Sequence, residues 1–290
     1  MEPFDVVVVG SANIDLVVHS NQLPQPGQTI TASEYAEYAG GKGLNQAVAC
    51  ARMGARTAFI GCVGDDDAGR MLLNVLRTEG IDVSGVKSIH SPTGRAFITV
   101  DSDGENTIVV VPGANAFVGK NSSIDIPPCT LLLTQLEIPI ATVASVLHNA
   151  RGKGIRTILN PAPATSLAKE VIADSDIIVP NETEAIALGG VRALLDAGAL
   201  TVVRTLGADG AEVVSLTMQT PISPYRVIPI DTVGAGDAFI GAMCAELSRG
   251  VSLEEACTIA AIAGALATTI HGAVPSLPHL DEVLKARIVK

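Results

Sequence analysis

Asp231-Thr232-Val233-Gly234-Ala235-Gly236-Asp237-Ala238-Phe239 is the stretch on which the reading of this chain turns. A strand-like run from Arg226 to Ile230 leads into it, and an apolar helix is expected from Ala238 to Ser248. Gly234, Ala235 and Gly236 carry almost no side chain, so a ligand can lie against the backbone there. The first amides of a helix have no partner within it, and the helix dipole favours negative charge beside them. Together these features make an anion cradle with one carboxylate, Asp237, set inside it. A carboxylate next to an incoming phosphoryl group is repelled by it. Taking the proton of an attacking hydroxyl is a reason for it to be there. The competing reading is that Asp237 caps a helix after a glycine turn, a common role for Asp.

The composition surrounding this stretch narrows the fold. The length of 290 residues suits one large domain or two small ones. Hydrophobic residues make up 48% with only 3% aromatic and no Trp, so the core is built from Val, Ile, Leu and Ala. That palette suits a parallel sheet buried on both faces by helices. The net charge of −11 argues against nucleic acid as a partner, because a phosphate backbone demands a basic footprint. A nucleotide needs only a local cradle. Cys50, Cys62, Cys129, Cys244 and Cys257 form no C-x-x-C pair and read as buried free thiols of a cytoplasmic protein. The acidic start at Met1-Glu2-Pro3-Phe4-Asp5 is unlike a secretory leader. The most apolar stretch, Ala256 to Ile270, is too short to cross a bilayer and reads as a core helix.

From the N-terminus, Phe4 to Gly10 is a continuous apolar run, as in a central parallel strand. Asn13 and Asp15 follow it at the carboxyl end, where open α/β sheets bind ligands, although turn chemistry explains them equally well. This is not a dinucleotide fingerprint, since the later glycines of that motif are missing. Leu16 to Tyr38 is an excursion from the main sheet, with β-prone pieces at Leu16–Val18 and Gln28–Ala32. Gly40-Gly41-Lys42-Gly43-Leu44-Asn45-Gln46 then opens a helix running to Met53. It is no Walker A loop, because Gly43 follows the lysine where Ser or Thr belongs. Arg56 to Val63 is a strand. Asp65 and Asp66 read as the cap of the next helix, Ala68 to Thr78. Thr93–Val100 and Asn106–Val111 flank a hairpin turn at Asp101-Ser102-Asp103-Gly104.

The α/β rhythm resumes with a strand from Leu131 to Glu137, a helix from Ile140 to Arg151 and strands at Ile155–Asn160 and Asp176–Val179. Pro180-Asn181-Glu182-Thr183-Glu184 reads as an acid-rich helix start. Two helical turns, Val191 to Ala197, precede the strand Leu200–Val203. A hairpin-like turn at Arg204–Gly210 leads into Ala211–Leu216. Leu253 to Ile270 is a long helix of small residues, followed by His271-Gly272-Ala273-Val274-Pro275-Ser276, in which His271 reads as a surface residue.

D-T-x-G-A-G-D-x-F resembles the C-terminal signature of the ribokinase-like, or PfkB, family of sugar and nucleoside kinases. The string G-G-K-G-x-N-Q-A-V-A resembles the N-terminal signature of the same family. The motifs stand in the family's order, and N-x-D, L-P-x-P-G and N-P-A-P-A resemble its ribokinase branch. The resemblance implies a three-layer α/β/α sandwich with a mostly parallel sheet and a small β lid. It implies one kinase domain over 1–290, with lid segments at about 12–38 and 93–111. It also implies transfer of the γ-phosphoryl group of ATP to a sugar hydroxyl, foremost the 5-OH of D-ribose. The alternatives are a sister specificity (deoxyribose, fructose, adenosine or pseudouridine) and a catalytically silent sugar-binding regulator.

On the family's pattern Asp237 is the base, and the Gly234, Ala235 and Gly236 amides hold the transferring phosphate. Asn13, Asp15, Gly41, Lys42, Asn45, Glu137 and Asp231 lie toward the sugar. Asn181 and Glu184 organise Mg²⁺ and its waters, and Thr205, Gly207 and Gly210 approach the nucleotide. Asp231, Val233, Ala267, Gly272 and Ser276 match a monovalent cation site, for K⁺. In relatives the lid pairs two subunits, which implies a homodimer. The segment between 189 and 200 is shorter here than in relatives. That leaves the outer sheet edge open and does not touch the phosphate residues.

Overall fold

The structure, a computed structural model, describes residues 2–102, 105–120 and 123–288. Its elements begin with β1 (Phe4–Val9), β2 (Asn13–His19), β3 (Glu34–Gly40), α1 (Lys42–Arg52), β4 (Thr57–Gly64), α2 (Asp67–Thr78) and β5 (Asp82–Ile89). Next come β6 (Gly94–Val100), β7 (Asn106–Val111), β8 (Cys129–Thr134), α3 (Ile140–Gly152), β9 (Arg156–Leu159), α4 (Lys169–Ala173) and β10 (Ile177–Ile178). The third part holds α5 (Glu182–Ala187), α6 (Val191–Asp196), β11 (Thr201–Thr205), β12 (Ala211–Val214) and β13 (Gln219–Ile222). The chain closes with α7 (Ala235–Ser248), α8 (Leu253–Ala267), α9 (Ala273–Ser276) and α10 (Leu280–Ile288).

Nine strands make one sheet in the order β13-β12-β11-β10-β9-β8-β1-β4-β5. From β11 to β5 every pairing is parallel, and at one edge β12 pairs antiparallel with both β11 and β13. The β1 run shows why the sheet is buried on both faces. Successive side chains of a strand point to opposite faces. Val6 and Val8 enter a core with Leu44, Val48, Phe239 and Met243 of α1 and α7. Val7 and Val9 enter a second core with Val143, Val146 and Leu147 of α3. Each such valine, fully buried, contributes about 1.5–3 kcal/mol relative to exposure. Helices thus cover both faces, as the aliphatic composition implied.

Four strands make a second sheet in the order β3-β2-β6-β7. Both excursions seen in the sequence therefore converge on one small sheet. The Gln28–Ala32 piece is not part of it, because the partner of β2 is β3, paired from His19↔Glu34 to Asn13↔Gly40. That register brings Asn13, Asp15 and the Gly40-Gly41 turn together at one end. The strands β6 and β7 pair as expected, and the backbone amide of Asp101 donates to the Glu105 carbonyl at 2.9 Å beside the turn. Asp103 and Gly104 of that turn lie outside the described residues.

Several other expectations need correction. Arg226–Ile230 forms no strand; Pro229 cannot donate to a ladder, and the Ile230 and Asp231 amides donate to the Thr268 carbonyl. The helix after it begins at Ala235, not Ala238. The strand expected to reach Glu137 ends at Thr134, and the long helix expected to reach Ile270 ends at Ala267. The edge strand β5 and the terminal helix α10 went unforeseen. Their polar, half-exposed runs carry a weak hydrophobic period. Asp66 does cap α2, accepting from the Gly69 amide at 2.7 Å, and it also accepts from the Thr93 amide and hydroxyl. At the shortened segment, Leu194 and Leu195 of α6 pack on Val202 of β11, so two turns of helix cover that strand, while β13 forms the outer edge. Among the described residues no helix is long and apolar enough to cross a membrane.

Candidate active site

The carboxyl ends of β1, β8, β9, β10 and β11 all open toward the N-termini of α1 and α7. These two helices touch closely. A Cβ on Gly241 would lie 2.3 Å from the Ala49 Cβ, so only glycine permits this approach. One turn earlier on each helix stand Asp237 and Asn45, at the site itself.

Gly234 is the N-cap of α7, in the left-handed region at φ 82°, and no side chain caps the helix. Asp237 lies inside the first turn, so the reading of it as the helix cap fails. Its carboxylate turns to α1 instead. Oδ2 accepts from Asn45 Nδ2 at 2.9 Å, and Oδ1 accepts from Gln46 Nε2 at 2.9 Å. Two neutral amides therefore fix a buried carboxylate in the first turn of α7, where the dipole favours negative charge and the Ala235 amide donates to the Thr232 carbonyl at 3.3 Å. The Asn45 Oδ1 atom is buried and has no partner, which leaves one acceptor for a donor from outside the chain.

The residues expected to lie toward the sugar come together at the same place. Asn13 is buried, its Oδ1 accepting from Asn115 Nδ2 at 2.7 Å. A Cβ on Gly40 would lie 2.1 Å from Asp15 Oδ2, and one on Gly41 would lie 2.9 Å from the Asn13 amide. Gly40 is thus required for the backbone to fold over Asp15, and Gly41 for it to lie against the start of β2. Glu137 Oε2 accepts from the Ser11 hydroxyl at 2.6 Å and from the Lys42 amide at 3.0 Å. Burial, then the charges of Glu137 and Asp237, push the Asp15 carboxyl up to about 7. Burial alone would lower the Lys42 ammonium. Asp237, Glu137 and Glu184 outweigh that and hold it above its ordinary value, so it stays charged.

Asn181 and Glu184 form a capping box on α5: the Glu184 amide donates to Asn181 Oδ1, and the Asn181 amide to Glu184 Oε2, both at 2.8 Å. Burial raises the Glu184 carboxyl, opposed by the Asn181 hydrogen bond and by Lys42 and reinforced by Asp237; the net shift is upward. Thr205 stands beside Asn181, its amide donating to the Pro180 carbonyl at 3.0 Å. Gly207 and Gly210 form the turn after β11, at φ 55° and 92°.

Asp231 does not reach the sugar-side cluster through any hydrogen bond of its own. It bridges two loops instead, Oδ1 accepting from the Val233 amide and Oδ2 from the Gly272 amide at 2.8 Å. Ser276 Oγ donates to the Ala273 carbonyl, and Gly234 packs over Ala273, so this loop supports the cradle from below. Ala267 is buried at the end of α8. His271 is largely exposed, as expected.

Sequence reasoning passed over Gln46, Ser11, Asn115, Gln135 and Asn160. Gln46 had a signal, since it follows Asn45 in the string already singled out. Among the described residues no group of three or more His, Cys, Asp or Glu side chains could hold a metal. A cavity of about 380 Å³ beside α3, lined by Val118, Lys120 and Thr142, contains none of the site residues.

The profile of the pfkB family of carbohydrate kinases matches residues 4–280. The chain belongs to this family. It is accordingly a phosphotransferase that acts on a sugar hydroxyl. Among curated relatives of this pfkB kinase, a ribokinase of Staphylococcus aureus (strain COL) is 38% identical, covering 96% of this chain and 98% of its own. A solved ribokinase structure from Thermotoga maritima superposes with TM-score 0.89 at 34% identity, covering 98% of this chain and 99% of its own. An Arabidopsis thaliana ribokinase, complexed with ribose and ATP, superposes with TM-score 0.84 at 32% identity and covers 99% of both chains. The three-layer fold with its small second sheet is that of these neighbours.

Proposed function

We propose that this pfkB kinase transfers the γ-phosphoryl group of ATP to the 5-hydroxyl of D-ribose. The observation that carries the reading is the Asp237 carboxylate, held by Asn45 and Gln46 at the mouth of the Gly234-Ala235-Gly236 cradle. Ribose would lie against Asn13, Asp15, Gly41, Lys42, Asn45 and Glu137. Asp15 supplies two acceptor oxygens for neighbouring hydroxyls, and Asn45 Oδ1 supplies one more. Asp237 takes the hydroxyl proton as the sugar oxygen bonds to the γ-phosphorus. The bond from that phosphorus to the β,γ-bridging oxygen breaks, and ADP leaves. The cradle amides accept the charge on the transferring oxygens. Lys42 remains cationic beside them.

Mg²⁺ bound to the ATP phosphates neutralises their charge. The capping box engages one oxygen each of Asn181 and Glu184 and leaves Glu184 Oε1 free to hold a metal-bound water. That suits an ion that keeps most of its waters and takes few protein ligands. Thr205, Gly207 and Gly210 flank the nucleotide side. K⁺ fits the loops tied by Asp231, with Val233, Ala267, Gly272 and Ser276 around it. The whole chain is read as one kinase domain, the β3-β2-β6-β7 sheet as its lid and the setting as cytoplasmic. The edge strand β7 exposes Ile108, Val109, Val110 and Val111, apolar surface on both its faces that supports a homodimer through the lid.

A coupled ADP-release assay across pentoses, hexoses and nucleosides tests the reading. D-Ribose is expected to give the highest kcat/KM, with ribose 5-phosphate as product. A higher value for deoxyribose, fructose or a nucleoside would reassign the substrate. ATP-independent ribose binding without turnover would point to the regulator.

A further inference from the structure

Gln46 is fully buried, and both N–H donors and the carbonyl oxygen of its amide are engaged. Nε2 donates to Asp237 Oδ1 at 2.9 Å and to Asn160 Oδ1 at 3.0 Å, while Oε1 accepts from Gln135 Nε2 at 2.6 Å. The opposite orientation of this amide would aim its oxygen at two acceptors and its nitrogen at a donor, so the network permits one orientation only. Asn160 is locked in the same way, since its Nδ2 donates to the Val179 carbonyl at 2.9 Å. Gln135 leaves the end of β8, Asn160 the end of β9 and Val179 the end of β10. Three parallel strands of the rigid sheet are thereby connected, through one glutamine on α1, to a single oxygen of Asp237.

A carboxylate that must receive a proton from a hydroxyl needs a fixed orientation more than it needs partners. Asn45 restrains Oδ2, but Asn45 itself lies toward the sugar and has an open acceptor there. Gln46 touches neither the cradle nor the sugar-side residues by any hydrogen bond, and its other partners belong to the sheet. We infer that Gln46 is a positioning residue for Asp237. Gln135 and Asn160 hold its amide so that Oδ1 stays restrained and the remaining lone pairs face the acceptor hydroxyl. The inference rests on the reading of Asp237 as the base.

The test is a double-mutant cycle in the full-length enzyme with D-ribose and ATP·Mg²⁺. Gln46→Met keeps the length and bulk of the side chain and removes its donors. It is expected to lower kcat by about 10- to 100-fold, the worth of one hydrogen bond to a charged group. The KM for ribose and the ribose affinity in calorimetry should stay within about threefold. In the Asp237→Asn background the same substitution should change kcat by less than about twofold, because the oxygen it positions no longer acts as a base. A Gln46→Met enzyme with turnover near wild type, while Asp237→Asn is crippled, would overturn the positioning role alone. A full, additive loss in the Asp237→Asn background would also overturn it, by showing a general structural effect. Normal turnover by Asp237→Asn would instead remove the base reading and this inference with it. If Gln46→Met does not fold, Gln135→Met decides the matter. It frees the Gln46 amide without touching Asp237 and should lower kcat several-fold at constant ribose affinity, whereas unchanged kcat refutes the role.

Discussion

Ribose binding to this kinase should depend on pH through Asp15. In the free enzyme burial and the neighbouring Glu137 and Asp237 charges place that carboxyl at about 7. Roughly a tenth of it is ionised at pH 6 and about nine-tenths at pH 8. Sugar hydroxyls donate to the ionised form, each such bond being worth about 1.5–3 kcal/mol, so a bound sugar favours the charge and lowers the pKa. Below pH 7 binding must therefore expel a proton. The ribose Kd should weaken about tenfold from pH 8 to pH 6, approaching tenfold per unit at lower pH and flat above about 8. Calorimetry without ATP isolates this step, and repeating it in buffers of different ionisation enthalpy counts the protons. Nearly one should leave per ribose at pH 6, and almost none at pH 8.5.

The sign also carries into stability. A carboxyl raised from 3.8 to about 7 by folding contributes most below its unfolded value, and that contribution is lost as pH rises through 7. The gain in Tm on adding ribose should then grow from pH 6 to pH 8. Asp15→Asn should bind ribose weakly at every pH and without proton release. A flat Kd between pH 6 and 8, or a pH dependence that persists in Asp15→Asn, would refute this reasoning.

Asp237→Asn should lower kcat by about 10²–10⁴-fold with both KM values near wild type. Its amide also places a donor against Asn45 Nδ2 or Gln46 Nε2, so a thermal melt should show a stability loss of about 1–3 kcal/mol; near-normal turnover would exclude the base. Gly40→Ala puts a Cβ where the Asp15 carboxylate lies, at 2.1 Å. It should raise the ribose KM by about tenfold or more, as when a charged hydrogen bond is lost, and steady-state kinetics with an unchanged KM would refute that. Turnover in K⁺ buffer should exceed that in Na⁺ or tetramethylammonium if the Asp231 and Gly272 loops hold a monovalent cation. Equal rates would count against the site.

Much of the candidate site was legible because it is made of local features. A buried parallel strand must be apolar throughout, and Phe4–Val9 is. A backbone that folds over a carboxylate must be glycine, so Gly40 advertises itself, as do Gly41 against the Asn13 amide and Gly234 at the start of a helix. Even the ambiguity over Asp237 was local. Cap and base look alike in one dimension, and the helix start at Ala235 removed the cap reading.

What the sequence could not disclose depends on residues far apart in the chain. Gln46 bonds to Gln135 across 89 positions, to Asn160 across 114 and to Asp237 across 191. Each of these glutamines and asparagines, taken alone, resembles any polar residue at the end of a strand or the start of a helix. The upward shift of Asp15 is likewise invisible in one dimension, since it follows from burial beside Glu137 and Asp237, which only packing brings near. The same holds for β3, whose polar sequence lacks a strand period and is ordered by pairing with β2. Hydrophobic period and glycine spacing are written within a few residues, and so the sequence by itself determined the sheet, the cradle and the family. Which carboxylate is restrained, by what and at what charge is set by contacts between distant segments, and only the tertiary structure decided it.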